Sequence, residues 1–381
     1  MSIITIGSVS PQDVFNSLPL LDTSRSAEWA KSAQKAVDAC VSVWEARAKD
    51  PEALKSDMEY YRGAWKIRPD NYVETKGDSG IISPKDMPWV AHVNALLAQR
   101  IRFRSNADVA LKLDKMAEFL EDRLGNEPYS IICGGVDFDP YHDGYRGAGS
   151  KDWFASLLYD RMRTNKPQCV GSQVTEKNTV IIDDCSYSGL QLETIVNGVF
   201  ETVDQGRYSQ RYSAAKVPVV YILVPYMTQT VWDKLLKKCH AWEKTEDDKS
   251  VTFERSDLRC VLWKPEMIPE TMKELEVILE RFPDVSTARK NGVRNVRRKW
   301  KGYINGAALF FFEHKFPDFV SFPDDFVFVK LYLAKLCYYG DDSEVYKSKD
   351  LTQVADRKLA CAEKYEERRR QAAPQDWPRS C

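Results

Sequence analysis

The sequence lacks the features that would assign it to a membrane or to a secretory route. No hydrophobic run approaches the roughly 20 residues of a membrane-spanning helix, and the opening MSIITIGS is too short for the apolar region of a signal peptide. The nine cysteines include no CxxC pair, which favours reduced thiols. We therefore expect a soluble, cytoplasmic protein with no membrane partner.

The sequence also lacks a charge imbalance. Lys and Arg total 55 against 56 Asp and Glu, which gives no reason to expect a nucleic-acid partner. A weak exception is the stretch 289–301, which carries seven basic residues and is more typical of a solvated helix face than of a phosphate-binding patch. Aromatic residues make up 12% of the chain, so most of it should fold.

The 381 residues suggest one domain with large additions rather than two separate domains. We predict an N-terminal helical and irregular extension over 1–106 and an α/β core over 107–275. A C-terminal addition over 276–381 would contain a strand, helices and a charged tail.

Apolar runs alternate with helical patterns through the predicted core. The strand candidates are YSIIC from Tyr129, NTVIID from Asn178 and KVPVVYILVPY from Lys216, and helices are expected between them. Strands that are apolar on both faces indicate a mostly parallel sheet with helices on both faces. RCVLW near Cys260 and GAALFFF near Phe310 are further strand candidates.

The stretch TVIIDDCSYSG places two adjacent carboxylates, Asp183 and Asp184, where an apolar strand ends. In an open parallel sheet, ligands bind at the carboxyl ends of the strands. A small, hydroxyl-rich loop follows and leads into a helix, whose N-terminal N–H groups can bind an anion. Acceptors for hydroxyl groups beside donors for a phosphate suit a ribose 5-phosphate, although the acidic residues could simply cap the helix.

This stretch resembles the signature of the type I phosphoribosyltransferases. The resemblance implies that Asp183 and Asp184 bind the ribose hydroxyls of phosphoribosyl diphosphate (PRPP) and that the loop wraps its 5-phosphate. The resemblance assigns the phosphate-binding loop to Cys185, Ser186, Ser188, Gly189, Leu190 and Gln191. Tyr187, in the same loop, stands at a catalytic position of the family.

An earlier strand end and the segment after it resemble two further family elements. Gly134 and Gly135 suit the loop that holds the diphosphate with Mg²⁺, and Arg146 and Lys151 suit the mobile catalytic loop by composition. The resemblance implies Mg²⁺ that is carried by PRPP, and we assign no protein ligand to the metal. The predicted partner is PRPP or a nucleotide; a homodimer is left open.

Two residues depart from the family pattern. Tyr187 stands where purine salvage members carry an Asp that handles the proton of the base, and a hydroxyl of pKa about 10 is a poor general base. Gln191 replaces the usual final Thr of the loop. An ordinary purine salvage enzyme is therefore not expected, and the acceptor is not assigned.

Two alternatives use the same residues differently. In the first alternative, the chain keeps the nucleotide site without turnover and acts as a regulator or structural component. A smaller alternative is a Mg²⁺-dependent phosphatase that uses Asp137 and Asp139 together with the acidic pair.

The apolar run that ends at Phe312 is followed by Glu313 and His314. It faintly resembles a segment of phosphoribosyltransferase-like proteins encoded by large DNA viruses. If its strand extended the parallel sheet in the same direction, Glu313 and His314 would reach the edge that carries Asp183, where either could take the acceptor's proton.

Overall fold

A computed structural model describes residues 21–50, 87–132, 150–171, 177–204, 217–280 and 308–313. The chain divides into two compact units. One unit contains the described residues of Ala107–Ile268, and the other contains those of Ser24–Asn106 and Pro269–Pro374. The domain bounds that the sequence predicts stay a prediction.

The helices are α1 (Ser26–Lys49), α2 (Met87–Ala98), α3 (Asn106–Leu124), α4 (Ser150–Arg161), α5 (Leu190–Asp204), α6 (Gln229–Lys238) and α7 (Thr271–Glu280). The strands are β1 (Arg102–Arg104), β2 (Tyr129–Ile132), β3 (Cys169–Gly171), β4 (Asn178–Ile182), β5 (Val219–Leu223), β6 (Tyr226–Thr228), β7 (Glu243–Glu246), β8 (Ser250–Arg255), β9 (Leu258–Trp263), β10 (Glu266–Ile268) and β11 (Phe310–Phe312). Among the helices in the described ranges, none combines the length and apolarity needed to cross a membrane.

The first unit is built on a seven-stranded sheet in the order β3-β2-β4-β5-β9-β8-β7. The α/β class is confirmed, but the prediction of a mostly parallel sheet is corrected to a mixed sheet. Strands β3, β2, β4, β5 and β9 pair in parallel, whereas β9, β8 and β7 pair antiparallel. The reason is the short connections 247–249 and 256–257, which allow only antiparallel neighbours.

The central strands are buried on both faces. Strand β4 reads NTVII and β5 reads VVYIL, and every residue in both is buried. Because successive side chains of a strand point to opposite faces, the sheet must be covered on both sides at this point.

Helix α5 follows β4 and covers one of these faces. Its buried apolar residues recur at helical spacing and pack with Ile181, Val220 and Ile222 of the sheet and with Val231 of α6. The residues of this stripe are Leu192, Ile195, Val196 and Val199. Helix α5 is therefore packed on the sheet through this stripe.

The second unit has a separate core, in which α1, α2 and α7 pack together with β11. Strand β11 pairs in parallel with β1, with Phe311 beside Phe103, in a two-stranded sheet. The premise that β11 extends the sheet carrying Asp183 is therefore wrong. Its partner is instead the short strand β1, which the sequence pattern did not indicate.

We expect Ile222→Ala to lower the free energy of unfolding by about 2–5 kcal/mol, because it removes fully buried side-chain volume in the core of the first unit. Leu111→Ala is the matched control, since Leu111 is 56% exposed and its truncation should change stability by less than about 0.5 kcal/mol. Urea denaturation of both variants measures the difference. Similar costs for the two variants would contradict this description of the core.

Candidate functional site

The acidic pair lies directly after β4, at its carboxyl end. Asp183 is 4% exposed and Asp184 is 1% exposed. The backbone N–H of Asp183 donates to the carbonyl of Leu223 at 3.4 Å, so the pair begins where the pairing between β4 and β5 ends. Both carboxylates are therefore at the sheet edge where ligands of open α/β sheets bind.

Local backbone hydrogen bonds orient both carboxylates. Oδ1 of Asp183 accepts from the backbone N–H of Asp184 at 3.1 Å, and Oδ1 of Asp184 accepts from the N–H of Cys185 at 2.9 Å. A buried carboxylate is costly unless it is hydrogen-bonded, and these bonds offset part of that cost. These bonds fix the orientation of one oxygen of each carboxylate.

The loop after the pair, residues 185–191, is called the site loop below. It is joined to β6 by a parallel bridge between Ser186 and Met227. The N–H of Ser186 donates to the carbonyl of Tyr226 at 2.9 Å, and the N–H of Thr228 donates to the carbonyl of Ser186 at 3.2 Å. The first half of the site loop is therefore held as if it were an additional strand.

Thr228 connects the site loop to α6. Its hydroxyl donates to the carbonyl of Tyr187 at 2.9 Å and accepts from the N–H of Val231 at 3.4 Å, which caps α6. Thr228 is fully buried and Tyr187 is 8% exposed, so this connection lies in the interior. The same side chain thus fixes a loop peptide and the start of a helix.

Gly189 has a backbone conformation that favours glycine, with φ of +77°. A Cβ at this position would lie 3.0 Å from Cγ2 of Val231. Both the turn and the close approach of α6 therefore require a residue without a side chain here.

The site loop ends in the first turn of α5. The N–H of Glu193 donates to the carbonyl of Gly189 at 2.7 Å, and the N–H of Leu190 donates to Oγ of Ser188 at 3.4 Å. Leu190 is 70% exposed and Gln191 is also exposed. The N-terminus of α5, which is the positive end of its helix dipole, thus lies at the surface. In the sequence, the site loop separates it from the acidic pair.

A lysine of α6 also contacts the site loop. Nζ of Lys234 donates to the carbonyl of Ser188 at 3.4 Å and lies 3.5 Å from Oε1 of Glu193. The Lys234 side chain is 37% exposed, so its charge is partly screened by solvent. Its contact adds a cation beside the loop.

Several predicted site residues cannot be placed. Gly134, Gly135, Arg146 and His314 lie outside the described residues, as does the basic stretch 289–301. Lys151 lies in the first turn of α4 and is 6% exposed. Its assignment to the catalytic loop stays a prediction.

Glu313 lies in the second unit, immediately after β11. Its Oε2 accepts from Oγ of Ser26 at 2.8 Å and from the backbone N–H of Asn106 at 2.7 Å. Asn106 is the first residue of α3, so the carboxylate satisfies an N–H at a helix N-terminus. These contacts do not test whether Glu313 takes the acceptor's proton, so that role stays a prediction.

Sequence reasoning missed Thr228 and Lys234. Thr228 precedes a helical pattern, and a Thr at that position signals an N-cap. Its second bond, to Tyr187, joins residues 41 positions apart in the chain, and no local pattern indicates such a contact.

Residues 148–320, somewhat less than half of the chain, match the protein family described as PRTase-CE. The predicted resemblance is confirmed at the level of a phosphoribosyltransferase-type family, while the likeness to viral members stays a prediction. Neither a curated protein nor a solved structure gives a significant match. The matched range includes the acidic pair, the site loop and the strands from β3 to β11.

We expect Gly189→Ala to destabilise the protein more than Gly125→Ala. Both glycines have positive φ, which costs an alanine about 1–2 kcal/mol, but a Cβ at Gly125 would have no atom within 4 Å. The contact with Val231 should add about 1–3 kcal/mol at Gly189. Urea denaturation measures both costs.

A double-mutant cycle with Val231→Ala supplies the control for this comparison. Removing the Val231 methyl groups should reduce the cost of Gly189→Ala. Equal costs at the two glycines, with no coupling to Val231, would contradict the close approach of α6.

Proposed function

We propose that this chain, a phosphoribosyltransferase-type protein by its match over residues 148–320, binds Mg²⁺-PRPP at the carboxyl end of β4. It would transfer the phosphoribosyl group to an acceptor and release diphosphate. The observation that carries the proposal is the continuous unit of two buried carboxylates, a constrained loop and the N-terminus of α5.

The acidic pair suits the two ribose hydroxyl groups. A carboxylate accepts strong, charge-assisted hydrogen bonds, and adjacent carboxylates match adjacent hydroxyls. Because Oδ1 of each Asp is already held by the backbone, the side chains need little reordering when the sugar binds. The pair therefore supplies recognition of the sugar rather than of a base.

The site loop suits the 5-phosphate. Its backbone N–H groups lead into the first turn of α5, and a helix N-terminus favours a phosphate through its N–H groups and its dipole. Gly189 supplies the left-handed conformation that recurs in backbone anion sites. Recognition by backbone groups tolerates the replacement of the family Thr by Gln191.

The proposal includes a magnesium ion that would arrive with PRPP. Mg²⁺ prefers oxygen ligands and is commonly bound by one or two carboxylates together with substrate phosphates. Asp183 and Asp184 supply two such carboxylates. When bound, the ion would neutralise charge on the diphosphate that leaves.

In the proposed reaction, the bond between C1 of the ribose and the diphosphate oxygen breaks, and its electron pair leaves with diphosphate. A lone pair of the acceptor forms the new bond to C1, and the acceptor loses a proton to a base. The ribose ring carries positive charge in the transition state, and two carboxylates held at its hydroxyls stabilise that charge. The chain otherwise contributes positioning.

A second candidate function is binding without turnover, in a regulator or structural component. Tyr187 favours it, because this residue stands where purine salvage members carry an Asp and is only 8% exposed. The phosphatase alternative depends on Asp137 and Asp139, which lie outside the described residues.

Calorimetry with PRPP and Mg²⁺, followed by a screen for diphosphate release over a set of nucleobases, separates the two candidates. Binding together with release supports the transferase. Binding without release with any base supports the silent protein, and no binding overturns both.

We expect Asp183→Asn combined with Asp184→Asn to weaken PRPP binding at least about tenfold, because the charge-assisted bonds to the ribose are lost. The matched control is Asp122→Asn combined with Asp257→Asn, which makes the same change in charge at exposed ion-paired side chains and should alter affinity by less than about twofold. Calorimetry gives the affinities, and thermal unfolding checks the fold. Equal affinities of the two double variants for PRPP would show that Asp183 and Asp184 do not bind the ribose.

A further inference from the structure

Three successive carbonyl groups of the site loop are bonded to one structural corner, where β6 turns into α6. Ser186 accepts from the backbone N–H of Thr228, Tyr187 accepts from its hydroxyl, and Ser188 accepts from Nζ of Lys234. The three distances are 3.2, 2.9 and 3.4 Å. The corner therefore determines the orientation of three consecutive peptide groups.

Because the peptide bond is planar, the orientation of these carbonyl groups also determines the orientation of the N–H groups that follow them. In a planar trans peptide, the carbonyl of one residue and the N–H of the next point in opposite directions. Bonds from the corner to the carbonyls of Tyr187 and Ser188 thus turn the N–H groups of Ser188 and Gly189 to the opposite side of the loop. Within the described residues, neither of these two N–H groups donates a hydrogen bond.

We propose that Thr228 and Lys234 are positioning residues of the phosphate site, which hold the loop carbonyls so that the N–H groups of Ser188 and Gly189 face the 5-phosphate. The inference rests on the proposed function, because the phosphate is the group that these N–H donors would bind. Neither side chain needs to touch the ligand.

Burial and charge separate the two contributions. Thr228 is fully buried, so its bond to Tyr187 is shielded from water and independent of salt. Lys234 is partly exposed and also faces Glu193, so its contribution should fall as ionic strength rises. Its charge would also favour an anion on the loop.

The first test uses two substitutions of Thr228 and titration calorimetry with ribose 5-phosphate, which binds without turnover. Thr228→Val keeps the volume and removes the hydroxyl, and we expect roughly three- to tenfold weaker binding. Thr228→Ser keeps the hydroxyl and loses a buried methyl group, and we expect binding within about twofold of the natural protein despite a lower melting temperature. The reverse order, with Ser weak and Val normal, would reduce Thr228 to a packing residue and overturn its role.

The second test replaces Lys234, and its control lies one turn further along α6. Lys238 also joins α6 to α5, through Asn197 at 2.7 Å, but its side chain does not contact the site loop. Lys234→Met should weaken ribose 5-phosphate binding about threefold or more at low salt, with a smaller effect at 0.5 M salt, whereas Lys238→Met should not change it. Equal effects of the two variants would show a general charge effect and overturn the role of Lys234.

Failure of this inference and failure of the proposed function give different results. If the natural protein binds ribose 5-phosphate and neither Thr228→Val nor Lys234→Met changes the affinity, only the inference is overturned. If the natural protein does not bind ribose 5-phosphate, the proposed phosphate site falls and the inference falls with it.

Discussion

The position of the site loop depends on two prolines. They end the pairing of β5 with β9 at matching positions in the two strands. Pro225 follows β5 and Pro265 follows β9, and neither has an N–H to continue the ladder of the large sheet. The chain resumes beyond them as β6 and β10, which pair with each other, and the N–H of Glu266 donates to the carbonyl of Pro225 at 2.9 Å. This small second sheet provides the strand to which Ser186 is bonded, so the breaks in the large sheet create the support for the loop.

Local signals were sufficient to predict the elements that carry the acidic pair. The β-branched run before Asp183 forms β4, and the helix after Gly189 begins at Leu190. Each of these depends on residues that are close in sequence. The run KVPVVYILVPY, in contrast, predicts one strand, although Pro225 divides it between β5 and β6. The proline was visible in the sequence, but the sheet that β6 joins was not.

Strand β1 and its pairing with the predicted strand β11 depend on contacts between distant segments. Strand β11 pairs with β1 across more than two hundred residues, and no pattern in either strand specifies the other. The antiparallel strands β7 and β8 were missed for a different reason. Strand β7 reads EKTE with all four residues exposed, so it has no apolar alternation, and charged residues are usual at the edge of a sheet.

In the proposed function, binding and turnover would depend on different kinds of groups. An anion site made from peptide N–H groups would require that the backbone be held in place, and the bonds of Thr228 and β6 and the turn at Gly189 constrain the backbone of the site loop. Divergence at Tyr187 and Gln191 would therefore be compatible with such a site. Transfer of the acceptor's proton, however, would need a side chain of suitable pKa, and the resemblance aligns Tyr187 with the acidic residue of purine salvage enzymes. Such a chain would still bind the phosphoribosyl group, whereas its acceptor could differ from that of the purine salvage enzymes. The acceptor must therefore be identified by experiment.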